Sequence, residues 1–311
     1  MSEIRIGTLA DDSILYGAHL ERRALLDRAV SLGIDHVFVA DHISFRNGFG
    51  MDGLVQAATA AATEPTLGVY VGVYLLALRH PVATARQLST LCASAPGRIV
   101  LGVGVGGEDR HEIEICGVDP ASRGRRTDAC LEALRGLLRG EPFDFESPFF
   151  RFEKAWIRPA PDPPLRITIG GRSEAALRRA ALHGDGWLAA WCSPRRFART
   201  TERIREEARA AGRTGVDWRH GLQVWAGFDT DRARARERVG ARMLEMYGIP
   251  FEPFEPYSPY GSPAEVADFL APYLESGCVD FNVMGVSAST EQTLEAVAEV
   301  RERLLAAHGG A

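Results

Sequence analysis

The chain has 311 residues, a formal net charge of -5, and 46% hydrophobic and 25% charged residues, a composition typical of a soluble globular protein. This net negative charge argues against a nucleic-acid-binding protein, which would need a basic surface. The sequence opens without a signal-peptide pattern, and no run approaches the roughly 18 apolar residues of a membrane span, so we expect a cytoplasmic protein.

Strand-like runs alternate with helical patterns along the chain, which predicts βα units and a parallel sheet. The predicted strands are Ile4–Thr8, His36–Ala40, Gly68–Tyr74, Ile99–Val103, Arg166–Ile169, Gly186–Ala190, Gly221–Ala226 and Phe281–Met284. The predicted helices are Glu21–Ser31, Pro81–Ala93, Arg126–Leu138, Ser173–Leu182, Pro194–Ala211, Arg232–Met246 and Thr290–Ala306, with another between Ser262-Pro263 and Gly277. Eight evenly spaced strands favour a closed (β/α)8 TIM barrel over an open doubly wound sheet, and we expect one domain over residues 1–311.

One proline-rich segment, Glu141–Pro164, interrupts this alternation. Its alternating run Phe149–Ile157 predicts a hairpin insertion between the fourth helix and the fifth strand. The segment carries the single lysine of the chain, Lys154, which removes P-loop and most other lysine chemistries.

The cysteines and histidines do not form a recognisable metal site. The five cysteines are scattered without a C-x-x-C pair, which favours free buried thiols, and the histidines lack H-x-H and H-E-x-x-H spacing. We therefore expect no bound metal.

Asp41-His42 follows the apolar run Val37–Val39, where a barrel strand ends and catalytic groups of barrels lie. A histidine beside a carboxylate suits proton transfer near a redox ring. A polar pair that only caps the strand end is an equally good interpretation.

Two glycine-rich turns follow other predicted strands. The first, Gly102–Glu108, contains G-x-G-x-x-G but ends the fourth strand, whereas a dinucleotide fingerprint opens the first βα unit. Its glycines let backbone amides approach a ring or phosphate, and Glu108 is either a rim acid or a helix N-terminal acid. The second, Gly170-Gly171-Arg172-Ser173, favours phosphate at a helix N-terminus, although an ordinary strand-to-helix turn uses the same residues.

Several motifs together resemble the luciferase-like monooxygenase family, and their order is most similar to the branch that uses coenzyme F420, a deazaflavin, in place of FMN. They are Val39–His42, Leu78–Pro81, Gly97–Gly104, Arg123–Arg126, Ile169–Gly171 and Asp185–Trp187.

The resemblance implies a cofactor ring at the carboxyl ends of the strands, and a role for each matching residue. His42 would act at the reacting centre and Glu108 as an acid or base. A cis peptide bond between Gly72 and Val73 would form a bulge behind the ring. The expected cofactor-binding residues are Asp41, Gly72, Val73, Leu75, Gly106, Gly107, His111, Gly170, Gly171 and Ser173.

One departure bears on the substrate. Sugar-phosphate dehydrogenases of the family carry tryptophan four positions after the histidine, where this chain has Arg46, so glucose 6-phosphate is not the expected substrate. Specificity is expected in the loops Ser44–Asp52 and Gly248–Gly261.

The leading functional hypothesis is hydride transfer between F420 and a small organic substrate, in a cytoplasmic homodimer. Two alternatives stay open: an FMN-dependent monooxygenase, and a non-catalytic cofactor-binding barrel. The apolar helical stretch Leu54–Ala62 gives loose support to the dimer.

Overall fold

A computed structural model describes residues 3–46, 48, 50–107 and 109–309, with the side chains of 308 and 309 left out. The described strands are β1 Arg5–Leu9, β2 His36–Val39, β3 Gly68–Tyr74, β4 Ile99–Val103, β5 Phe143–Glu146, β6 Arg151–Ala155, β7 Arg166–Gly170, β8 Gly186–Ala190, β9 His220–Phe228, β10 Tyr260–Gly261 and β11 Cys278–Val286.

The described α-helices are α1 Asp12–Tyr16, α2 His19–Ser31, α3 Gly53–Thr63, α4 Pro81–Ser94, α5 Arg110–Ile115, α6 Arg123–Leu137, α7 Glu174–His183, α8 Pro194–Ala210, α9 Arg232–Tyr247, α10 Pro263–Glu275 and α11 Thr290–Gly309. Two short 3-10 helices lie at Leu76–Leu78 and Glu255–Tyr257. None of the described helices is long and apolar enough to cross a membrane.

The main sheet confirms the predicted fold class. Its strand order is β10-β9-β11-β1-β2-β3-β4-β7-β8, and β8 also pairs with β9. Eight parallel strands therefore close on themselves, with β10 added beside β9, and the fold is an α/β TIM barrel. The predicted insertion is confirmed as well, since β5 and β6 form an antiparallel hairpin between α6 and β7.

The chain divides into two compact units. The first comprises Met1–Phe38, Trp187–Glu206 and Asp217–Ala311, and the second comprises Val39–Gly186 and Glu207–Val216. The prediction of a single domain stays a prediction.

In the first unit, β1, β9 and β11 bury apolar side chains such as Ile6, Leu222 and Phe281. Two buried polar side chains, His36 and Asn282, lie among these apolar residues. His36 Nε2 lies 2.7 Å from Asn282 Oδ1, and a Cβ on Gly7 would lie 2.3 Å from the His36 ring. Glycine at position 7 therefore makes the room that the buried imidazole occupies.

In the second unit, β3, β4 and β7 read as continuous apolar runs because both faces of these strands are covered. The β3–β4 register shifts between Val71 and Tyr74, and the peptide bond between Gly72 and Val73 within this interval is cis. The predicted cis bond is confirmed.

Candidate functional site

The sites predicted after β2, β3, β4 and β7 all fall in the second unit. Asp41 follows β2, and its carboxylate is completely buried. Oδ1 accepts from the N–H of Gly53 at 2.8 Å, and Oδ2 accepts from the N–H of Leu75 at 2.8 Å. Arg79 binds both oxygens, at 2.5 and 2.7 Å. Asp41 thus fastens the start of α3 and the end of β3 to the loop after β2.

Charge balance holds this cluster in its ionised form. Burial raises the pKa of Asp41, and Arg79 with the two backbone N–H donors opposes that rise. All four donors need an acceptor, so the carboxylate is the form that the arrangement stabilises. The guanidinium of Arg79 also lies 4.3 Å from the centre of the Tyr74 ring and 3.0 Å from Asp52 Oδ2. Burial raises the pKa of Tyr74 to about 12.

His42 is held by a residue that the sequence analysis did not select. Its Nδ1 lies 3.0 Å from Oε2 of Glu112, a residue of α5 whose side chain is 3% exposed. Oε1 of Glu112 also accepts from the backbone N–H groups of Ile43, at 2.6 Å, and Ser44, at 3.1 Å. The buried acid therefore fixes both the imidazole and the loop that carries it.

This contact decides which nitrogen of His42 is available for chemistry. A carboxylate only accepts hydrogen bonds, so Nδ1 carries the proton and Nε2 of the neutral ring presents a lone pair. In the part of the chain that the structure describes, Nε2 makes no hydrogen bond. The side chain is 29% exposed, and its ring packs on Phe45 with centroids 4.3 Å apart. An oriented imidazole of this kind can accept or return a proton at Nε2.

The glycines at the ends of β4 and β7 make room for one side chain. A Cβ on Gly104 would lie 2.4 Å from Val73 Cγ2, and a Cβ on Gly170 would lie 3.0 Å from Val73 Cγ1. A Cβ on Gly102 would lie 2.5 Å from the carbonyl oxygen of Val71. Packing against β3 is thus a sufficient reason for glycine at these three positions.

The turn after β4 has a different requirement. Gly106 and Gly107 have φ angles of 65° and 140°, in the region that favours glycine. The guanidinium of Arg123 lies beside this turn, since a Cβ on Gly107 would be 3.5 Å from its Nη2. Arg123 Nη1 donates to the carbonyl of Pro120, while Nε is buried without a hydrogen-bond partner among the described residues. A cation with an unused N–H therefore faces the glycine turn.

The remaining predicted residues lie at helix starts. Ser173 is the N-cap of α7 and accepts from Ala176, and Gly171 before it has a φ of 116°. His111, in the first turn of α5, has an exposed side chain. Glu108 lies outside the described residues, and Asp109 caps α5. The roles predicted for all these residues stay predictions.

Three charged residues of this region were missed as site residues: Glu112, Arg79 and Arg123. Arg79 and Arg123 belong to motifs that carried the family resemblance, which was the available signal for them. No sequence signal pointed to Glu112, because the D-x-x-E pattern at Asp109–Glu112 is typical of an ordinary helix cap. Asp109 does cap the helix, but the Glu112 side chain turns to the loop after β2 instead.

The family is settled by sequence comparison. The model of the luciferase-like monooxygenase family matches residues 14–306. The chain belongs to this family. The prediction of an oxidoreductase of the luciferase-like family is therefore confirmed.

Named relatives include F420-dependent proteins. An F420-dependent glucose-6-phosphate dehydrogenase of Kribbella flavida is 28% identical over 298 residues, covering 86% of this chain and 88% of that protein. An uncharacterised protein of Mycobacterium tuberculosis is 34% identical over 198 residues, covering 63% of this chain and 68% of that protein. The predicted resemblance to the F420-dependent branch is thus confirmed.

A solved structure agrees at the level of the fold. It is an F420-dependent secondary alcohol dehydrogenase in complex with an F420-acetone adduct, with a TM-score of 0.83 and 20% identity. The match covers 97% of this chain and 99% of that one.

Proposed function

We propose that this protein is an F420-dependent oxidoreductase that transfers hydride between the deazaflavin and a small organic substrate. The observation that carries the proposal is the His42–Glu112 pair, in which a buried carboxylate holds Nδ1 at 3.0 Å and leaves Nε2 open. A hydride transfer to or from carbon needs a group that accepts or donates the accompanying proton. The oriented imidazole of His42 can do this at Nε2.

The residues around the glycine turn fit an anionic cofactor. F420 supplies the hydride chemistry when it is bound, whereas the protein supplies orientation and charge. Arg123 presents a buried N–H with no partner among the described residues, beside the left-handed Gly106-Gly107 turn. An unsatisfied cationic donor is costly in a folded protein unless a ligand accepts from it. We assign Arg123 to the anionic part of the cofactor, together with Gly106 and Gly107.

The other site residues divide into two roles. Asp41 positions rather than reacts, because protein donors bind both of its oxygens. Gly72 and Val73 lie near the end of β3, and Leu75, which Asp41 binds, directly follows that strand. All three are proposed to lie against the ring. Gly170, Gly171 and Ser173 with the start of α7 remain our candidates for the phosphate side, since helix N-termini bind anions.

Side-by-side fluorescence titrations with F420 and FMN test the cofactor assignment. We expect tighter binding of F420, and Arg123→Gln should weaken it by about ten-fold, the typical loss of one charge-assisted hydrogen bond. Arg125→Gln, at an exposed position two residues away on α6, is the matched control. Equal or tighter binding of FMN would overturn the assignment in favour of a flavin monooxygenase.

His42→Ala tests catalysis separately from folding. The variant should lose at least about a hundred-fold in turnover, because general acid–base groups contribute this much. Its melting temperature should stay close to that of the wild type, since the side chain is 29% exposed. Normal turnover per folded molecule would assign His42 to the structure alone and leave the proton transfer to another group.

We also propose one functional domain, a cytoplasmic location and a homodimer. The exposed face of α3, where Val55 is 60% exposed, is our candidate for the contact between subunits. Light scattering at micromolar concentration should give twice the chain mass of 33.9 kDa. A mass of one chain would contradict the dimer.

A further inference from the structure

Four aromatic rings converge within the first unit, near the carboxyl ends of β8 and β9. Trp191 directly follows β8, Trp225 lies in β9, Tyr247 ends α9, and Phe254 precedes the second 3-10 helix. We call this group the aromatic wall. Trp225 is 2% exposed, while the other three side chains are half-buried. Ends of barrel strands are where barrels build their binding sites.

Contacts among the rings hold the wall in a defined arrangement. The Trp191 centroid lies 5.0 Å from that of Phe254 and 5.5 Å from that of Tyr247, the latter edge-on. Trp225 Nε1 donates to Tyr247 Oη at 3.1 Å, so the buried indole anchors the half-buried phenol. These are the spacings at which aromatic rings attract each other.

Trp191 is held in an unfavourable backbone conformation. Its φ is 48°, a region that bulky residues rarely adopt. Such strain persists where the surroundings enforce it, and it is frequent at ligand sites. Here it directs a large ring onto the wall, so packing alone is an incomplete reason for tryptophan at this position.

The charges next to the wall do not suit a phosphorylated ligand. All five arginines of α9 face carboxylates: Arg232, Arg234, Arg236, Arg238 and Arg242 pair with Glu265, Asp229, Glu255, Asp229 and Glu245, respectively. Of the exposed arginines at the start of α8, Arg195 has no ion pair among the residues described, and Arg196 and Arg199 follow it on the same helix. Exposed guanidinium groups on a single helix make a weaker phosphate site than several donors that converge from different elements.

We propose that the aromatic wall is the substrate-binding surface, and that its ligand is an uncharged apolar molecule with a planar or aromatic part. This inference rests on the proposed oxidoreductase function and adds the class of its substrate. It separates this chain from the sugar-phosphate enzymes named among its relatives, which act on a charged, polar molecule.

Calorimetric binding to the cofactor-free chain of 311 residues tests the proposal, with benzyl alcohol and glucose 6-phosphate as probes. Benzyl alcohol should bind, and Phe254→Leu and Trp191→Leu should each raise its Kd by about ten-fold through loss of a ring contact. Trp156→Leu, which removes a 51% exposed tryptophan from the hairpin region, is the matched control and should change Kd less than two-fold. Thermal melts identify variants that fail to fold. If Trp191→Leu fails to fold, Phe254→Leu, which lies in a loop, still tests the proposal.

The outcomes distinguish this inference from the proposed function. If benzyl alcohol binds and the wall variants weaken it while F420 does not bind, the substrate surface stands and the cofactor assignment fails. If F420 binds but benzyl alcohol does not, or glucose 6-phosphate binds more tightly, the inference is overturned and the oxidoreductase proposal stands. Wall variants that melt early yet bind benzyl alcohol normally would make the four rings a packing cluster only, which also overturns the inference.

Discussion

Two buried histidines of the first unit should make the protein lose stability as the pH falls. Burial and, secondarily, Arg5 lower the pKa of His36 from 6.5 to about 4, although the contact with Asn282 opposes this. Burial and Arg205 lower the pKa of His220 to about 3. Both rings are therefore neutral in the folded protein at pH values where an unfolded chain has already protonated them.

The sign and size follow from proton linkage. The unfolded chain binds more protons below pH 6.5, so unfolding becomes easier as the pH falls, and the effect levels off below the folded pKa values of about 4 and about 3. Between pH 7 and pH 5 each histidine should cost about 2 kcal/mol of unfolding free energy, and the pair about 4 kcal/mol.

Urea unfolding at pH 7 and pH 5, at fixed ionic strength, measures this loss. The unfolding free energy at pH 7 should exceed that at pH 5, and the two histidines contribute to this difference. His36→Gln and His220→Gln should each remove about half of their joint contribution. His19→Gln, at an exposed position in α2, is the control and should leave the difference unchanged. If the double variant loses as much stability as the wild type between pH 7 and pH 5, the reasoning is refuted and other groups carry the acid sensitivity.

Three substitutions in the second unit have equally definite outcomes. Glu112→Gln should lower kcat by about ten- to hundred-fold with little change in KM or F420 affinity, because it misorients the imidazole; an unchanged kcat in steady-state assays would exclude a positioning role. Arg79→Met leaves the buried Asp41 carboxylate unpaired and should cost about 3–5 kcal/mol in denaturant unfolding. A loss below about 1 kcal/mol would mean that Asp41 is not ionised in the fold. Gly104→Ala forces a Cβ to within 2.4 Å of Val73 and should cost about 1–3 kcal/mol, and Val73→Ala in the same chain should recover part of it. Failure of that rescue in the double-mutant cycle would point to another clash.

Matched controls exist for each of these changes. Glu114→Gln replaces an exposed acid on the same helix as Glu112 and should leave kcat unchanged. Arg110→Met breaks only the exposed pair with Glu114 and should cost less than about 1 kcal/mol. Gly124→Ala adds a Cβ at an ordinary contact distance of 3.6 Å from Arg179 Nη2.

Periodicity predicted the strands well because a buried parallel strand is a short apolar run between turns. Three predicted strands, Gly68–Tyr74, Ile99–Val103 and Gly186–Ala190, have the observed bounds. β9 and β11 begin earlier than predicted, at His220 and Cys278. Both side chains are buried, although neither belongs to the apolar run that identified its strand. Short α1 and α5 were missed, because five or six residues do not establish a helical period.

The site was predicted only where the chain places its residues next to a strand end. Asp41 and His42 were selected in this way, whereas Glu112 meets His42 from 70 residues further along the chain. No local pattern encodes that pairing, because it depends on how the loop after β2 and the start of α5 meet. The role predicted for Gly170 at the cofactor stays a prediction, and the occupant of the space beside Gly104 and Gly170, the Val73 side chain, is visible only in the fold.

Glu112 has a consequence for anyone who wishes to change the specificity of this protein by exchanging loops. Its Oε1 accepts from the backbone of Ile43 and Ser44, contacts that do not depend on the side chains at those positions. The side chains at Ile43 and Ser44 can therefore vary, whereas the backbone path of these two residues cannot. A graft that replaces residues 43–52 and keeps α5 should fold only if the donor loop presents the same two N–H groups to the acid. Moving residues 42–52 and 109–115 together, as one cassette, preserves that match.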